Sequence, residues 1–230
     1  MHPRIIKTDK PTTAPKFILL LGDSLVCNTD NIATTHQLPT VLTQLAPEGW
    51  QAISLAKESH GVQEVEKILA SPMPLPCPPK LIVICAGGQD ALALEALAFS
   101  KPASGADLLR QLSEAQASFS ARYAAMLDAA SALRLPVVAC TTTLLQPGNR
   151  AMQRVLPSLE AIINSAIISC ALAKGMPVLD LRPVLSDPKD FSNYLKPVAE
   201  SIPHIARAIL KVLYSHNFET RATTLYTLRR

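Results

Sequence analysis

Five short apolar runs punctuate the chain, at about residues 16–22, 51–56, 80–86, 135–141 and 177–181. Four of them are almost wholly apolar, as strands covered on both faces must be. The second, Gln51 to Ala56, is more mixed. Between the runs the apolar positions recur every three or four residues, the period of a helix with one buried stripe. A helix is predicted from near Pro39, a favourable first-turn residue, to Leu45. A second follows Gly61, with Val62, Val65, Ile68 and Leu69 on one face. Longer ones are predicted over about 106–133, 152–173 and 198–214.

Strands alternating with helices imply βαβ units and a parallel sheet. The pattern therefore predicts an α/β fold, a three-layer α/β/α domain around a five-stranded parallel sheet. The run Ser71-Pro72-Met73-Pro74-Leu75-Pro76-Cys77-Pro78-Pro79 suits neither a helix nor a central strand, so it is expected as a stiff surface connection. The fragment before it is too small to fold alone, so it marks no domain boundary. The organisation expected is a disordered arm over 1–15, one domain over 16–214, and a polar, basic tail over 215–230.

Composition narrows the possibilities. The chain has 230 residues, 48% hydrophobic and 17% charged, which is globular rather than disordered. The net charge of +4 is scattered, with no basic stripe for nucleic acid, and aromatics at 4% are too few for a stacking platform. No apolar run approaches the ~20 residues of a bilayer span, and no secretory cleavage pattern opens the chain. Of five cysteines (Cys27, Cys77, Cys85, Cys140 and Cys170), two lie in apolar strands. An odd count of buried-type thiols fits a reducing cytoplasm. No CxxC or His/Cys cluster suggests a metal, and no phosphate-binding glycine loop suggests a nucleotide, so no cofactor is expected.

Candidate chemistry begins where the first strand ends. Phe17 to Leu21 runs into Gly22-Asp23-Ser24-Leu25, placing a serine at the carboxyl end of a strand, where open α/β sheets build their sites. A strand-to-helix turn there would expose the hydroxyl and aim backbone N–H groups at a developing oxyanion. Asp-Ser can also simply cap a turn. Further along stand Gly61 after the second strand, Cys85-Ala86-Gly87-Gly88-Gln89-Asp90 after the third, and Asp187-Pro188-Lys189-Asp190-Phe191-Ser192-Asn193 before the last helix. Gly61 alone could be a tight turn, and Asp90 could cap the helix that follows it.

Together these blocks resemble the SGNH (GDSL) hydrolase family over roughly residues 16–214, in a form that departs from the pattern at two positions. The resemblance implies strand order 2-1-3-4-5. It implies Ser24 as nucleophile and Asp190 as the triad carboxylate, with the N–H groups of Ser24 and Gly61 and the amide of residue 89 holding the oxyanion. The family pattern is Gly-x-Asn-Asp and Asp-x-x-His; here Gln89 replaces the Asn and Asn193 replaces the His. The Gln89 amide can donate the same bond from one methylene further out, and missing it would cost about a hundredfold in rate. Asn193 cannot accept a proton near neutral pH. Losing the base of a serine triad costs up to roughly a millionfold, about 8 kcal/mol of barrier.

His60, beside Gly61, and His36, before the first helix, are the candidate substitute bases, each weighed against a plain loop histidine. His204 falls within the last helix, and His2 and His216 lie in terminal regions. Asp190 acting through a water is a weaker route. Two functions follow. The first is a serine ester hydrolase working through an acyl-enzyme on Ser24, with a small ester or acyl-bearing ligand as partner. The second is a decayed member of the family serving as a binding or scaffolding module, with a protein partner held by the tail near Leu225, Tyr226 and Leu228.

Overall fold

A computed structural model of the chain describes residues 15–28, 32–144, 150–192, 195–220 and 222–228. Asn193, the Arg229-Arg230 end and all but Pro15 of the expected N-terminal arm lie outside the described residues. Strands β1 (Lys16–Gly22), β2 (Trp50–Ser54), β3 (Leu81–Cys85), β4 (Val137–Cys140), β5 (Val178–Asp180) and β6 (Leu225–Thr227) form one parallel sheet in the order 2-1-3-4-5-6. Helices α1 (Leu38–Leu45), α2 (Val62–Leu69), α3 (Gly88–Ala93), α4 (Glu95–Ala98), α5 (Gly105–Ala132), α6 (Arg150–Ala173) and α7 (Ile202–Ser215) connect them.

The two-residue period of a strand sorts the core into two layers. Leu19, Leu21, Ile82, Ile84 and Ala139 face α2, α5 and α6. Ile18, Leu20, Val83, Val138 and Leu179 face α1 and α7. Ile18 to Leu21 are wholly buried, which is why this run carries no polar alternation. Each such side chain contributes roughly 1.5–3 kcal/mol on leaving water.

The sheet has six strands where five are expected from the sequence. The tail is not a loose extension: Val178, Leu179 and Asp180 pair with Leu225, Tyr226 and Thr227. Tyr226 is half-buried, its hydroxyl 3.2 Å from His216 Nδ1, and the His216 ring meets Phe218 edge-on. At the opposite edge, Thr43 on α1 accepts the Ala52 N–H of β2 at 2.9 Å while donating to the Pro39 carbonyl at 2.7 Å.

Residues 71–80 contain neither helix nor strand, as the prolines require. All five cysteines are free thiols. Among the described residues one helix, Gln153–Ala173 within α6, is long and apolar enough to cross a bilayer, a match that a search for unbroken apolar runs passes over. Its Leu156, Leu159, Ile163 and Ile167 are buried in the core shared with α5.

β1 ends on Gly22, at φ +133°, and a β-carbon there would lie 1.7 Å from the Cys85 carbonyl oxygen. Only glycine allows β1 and β3 to approach so closely while the chain turns. Gly22→Ala should therefore cost more than about 4 kcal/mol of stability, measured by urea unfolding. A variant as stable as the parent would contradict this close approach.

Candidate active site at the carboxyl edge of the sheet

Residues 24–26 form a turn directly after β1, held by the Val26 N–H on the Asp23 carbonyl at 3.2 Å. Asp23 is the anchor. Its Oδ1 accepts the Leu25 N–H and its Oδ2 the Gly88 N–H, each at 3.1 Å, and its own N–H donates to the Cys85 carbonyl at 2.9 Å. The carboxyl is wholly buried, and burial pushes its pKa up from 3.8 to about 7, against the lowering effect of the two N–H donors. Nearby, burial lifts the Cys27 thiol to about 12, with Glu58 and Asp23 adding to the effect. The turn leaves Ser24 only 3% exposed, less than the sequence suggests, and among the described residues the next helical turn after it begins at Thr34.

The β2–α2 loop brings Gly61 to the start of α2. Its N–H donates to Glu64 Oε2 at 3.0 Å. The next N–H, of Val62, goes to Asp90 Oδ2 at 3.2 Å. Asp90 does not cap the helix that follows it. It lies within α3 and caps α2, and its other oxygen accepts Arg122 Nη2 of α5 at 3.0 Å, so it ties α3 to two other helices. The Gln89 amide is turned onto the Glu58 carbonyl, at 2.7 Å.

The loop after β5 folds over the same edge. Asp190 is 3% exposed. Its Oδ2 accepts the Asp187 N–H and its Oδ1 the Ser201 hydroxyl, both at 3.0 Å. Phe191 pairs with Pro197, and Lys196 Nζ stands 2.5 Å from Glu58 Oε1. Leu195 is buried so tightly that a β-carbon on Gly88 would sit 2.5 Å from its Cδ2 and 2.8 Å from Asp23 Oδ2. The blocks carrying Ser24, Gln89 and Asp190 thus share one edge. Asn193, at the position of the expected base, lies outside the described residues.

The two candidate substitute histidines are engaged elsewhere. His36 is exposed on a short 3-10 turn, with Nδ1 3.3 Å from its neighbour Thr35. His60 lines a separate cavity beside α2, its Nδ1 buried without a partner, and burial with nearby Lys57 lowers its pKa. Among the described residues, neither imidazole hydrogen-bonds Ser24, and no cluster of three or more His, Cys, Asp or Glu could hold a metal. The residues that sequence reasoning missed are Glu64 and Glu58. Glu64, three positions after Gly61, carries the capping-box spacing that could have exposed it; no local pattern marks Glu58.

This arrangement, a serine turn after β1 and three loops on one edge of a doubly wound parallel sheet, is that of an SGNH-type α/β hydrolase fold. The sequence profile of the GDSL-like lipase/acylhydrolase family matches residues 20–198, and the chain belongs to that family. Among solved structures, a lipolytic protein of the G-D-S-L family from Veillonella parvula superposes with TM-score 0.64 at 14% identity, covering 87% of this chain and 100% of its own. Axe2, an acetylxylan esterase from Geobacillus stearothermophilus, gives 0.60 at 14% identity, covering 89% and 96%. A lipolytic G-D-S-L protein from Desulfitobacterium hafniense gives 0.60 at 17%, covering 86% and 99%. No curated protein sequence matches the chain.

The buried Asp23 carboxyl sets a pH dependence. Because it binds its proton more tightly folded than unfolded, its contribution is full below about pH 4, is lost as pH rises towards about 7, and is level above that. Between about pH 5 and about pH 8, the parent should lose up to about 3 kcal/mol more stability than Asp23→Asn does. Urea unfolding at the two pH values checks this; equal losses would show that the carboxyl titrates normally.

Proposed function

We propose that this chain is a member of the GDSL hydrolase family whose Ser24 site no longer runs a histidine-driven ester hydrolysis, and that the domain works as a binding or scaffolding module. One observation carries this reading. The Gly61 N–H that should hold an oxyanion is already bonded to Glu64, and the Gln89 amide is turned onto the Glu58 carbonyl with one of its two N–H groups. An oxyanion approaching the Gly61 N–H would have to displace a carboxylate and would be repelled by it. The low exposure of Ser24 and the asparagine at position 193 point the same way. Among the similar structures, a serine-to-alanine and a histidine form of Axe2 are each named catalytic mutants. The histidine is the group that position 193 lacks here.

The second reading, an ester hydrolase forming an acyl-enzyme on Ser24, is favoured by one feature. The Asp190 loop is folded onto the edge that carries Ser24, the place the family reaction requires, and catalytic hydrogen bonds in an empty site often form only with substrate.

A fluorophosphonate probe and a short-chain aryl ester separate the two. The parent should not label at Ser24, and its ester turnover should equal that of Ser24→Ala. Asn193→His combined with Gln89→Asn should raise turnover at least about a hundredfold. Labelling of the parent at Ser24, with turnover lost in Ser24→Ala, would establish the hydrolase instead.

A further inference from the structure

A cavity of about 400 Å³ opens between the end of β2, the outer face of α2 and the proline run. Ser24 is not among its lining residues. Its apolar surface comes from half-buried Leu55, Ile68 and Met73, and Pro72 and Pro74 stiffen one wall. Lys57, Lys67 and His60 line it as well. The charge there is one-sided. Lys67 approaches Glu64 only at 3.9 Å, with the Lys67 side chain 76% exposed and that of Glu64 41%, a pairing worth little in water. Glu64 is meanwhile held by the Gly61 N–H. Lys57 has no ion pair among the described residues. Burial and Lys57 lower the pKa of the His60 imidazole, against the raising effect of Glu64, which disfavours a third charge there.

We propose that this cavity binds a free medium-chain aliphatic monocarboxylate, its carboxylate between Lys57 and Lys67 and its chain on Leu55, Ile68 and Met73. A neutral apolar ligand would leave the two ammonium groups unused. A compact polar anion would leave the apolar wall wet. A single chain with an anionic head satisfies both, and the proline wall lowers the ordering cost of binding. The site asks nothing of Ser24, so it stands whichever reading of that residue holds.

Isothermal titration of the full-length chain with hexanoate, octanoate and decanoate, each below its micellar range, tests this. Octanol and inorganic phosphate serve as controls. Binding should be saturable at one site and tighten roughly tenfold with each added pair of methylenes. Replacing both lysines (Lys57→Gln, Lys67→Gln) should weaken octanoate about tenfold, and Met73→Asp should abolish it. Both lysines are exposed, so the lysine variant keeps the fold, which far-UV circular dichroism verifies. No saturable binding, octanol binding as tightly as octanoate, phosphate binding in its place, or full affinity in the lysine variant would overturn the proposal.

Discussion

The Asp23 carboxylate ties the carboxyl edge of the sheet together. One oxygen fixes the turn that carries Ser24, and the other reaches across to the backbone of Gly88, the first residue of α3. Gly22 lets β1 and β3 approach closely enough for that reach, and Leu195 closes over the result. The loops after β1, β3 and β5 therefore meet at one buried acid. Such a group is costly to bury unless its oxygens are bonded or it takes up a proton; here two N–H groups bond it, and its affinity for a proton also rises.

Around that anchor, polar side chains from several segments bind one another. Asp90 joins α2 and α5 to α3, Gln89 binds the Glu58 backbone, and Lys196 pairs with the Glu58 side chain. These bonds make the edge a cross-braced, closed surface. The same residues thus stabilise the edge.

Much of this architecture is legible in the sequence because it rests on burial. Five strands and the long helices follow from apolar runs and their spacing, since a two-sided core leaves no freedom in which residues face it. β6 escapes that logic: three residues in a polar tail, of which only Tyr226 turns inward, leave no periodic trace. The blocks at Ser24, Gly61, Gln89 and Asp190 can also be read directly. Their hydrogen bonds cannot, because partners such as Glu58 and Ser201 are set by how distant loops fold back. Asp90 shows the difference. The sequence suggests a cap for the helix after it, yet it lies within α3 and serves a helix that precedes it in the chain.

The hydroxyl that α1 sets against the outermost strand has its own implication. A sheet margin normally offers a ladder of open amides on which another extended chain can assemble. Thr43 fills one rung of that ladder at Ala52, midway along β2. That rung is thereby closed to an added strand, by a neighbouring side chain rather than by charge or proline.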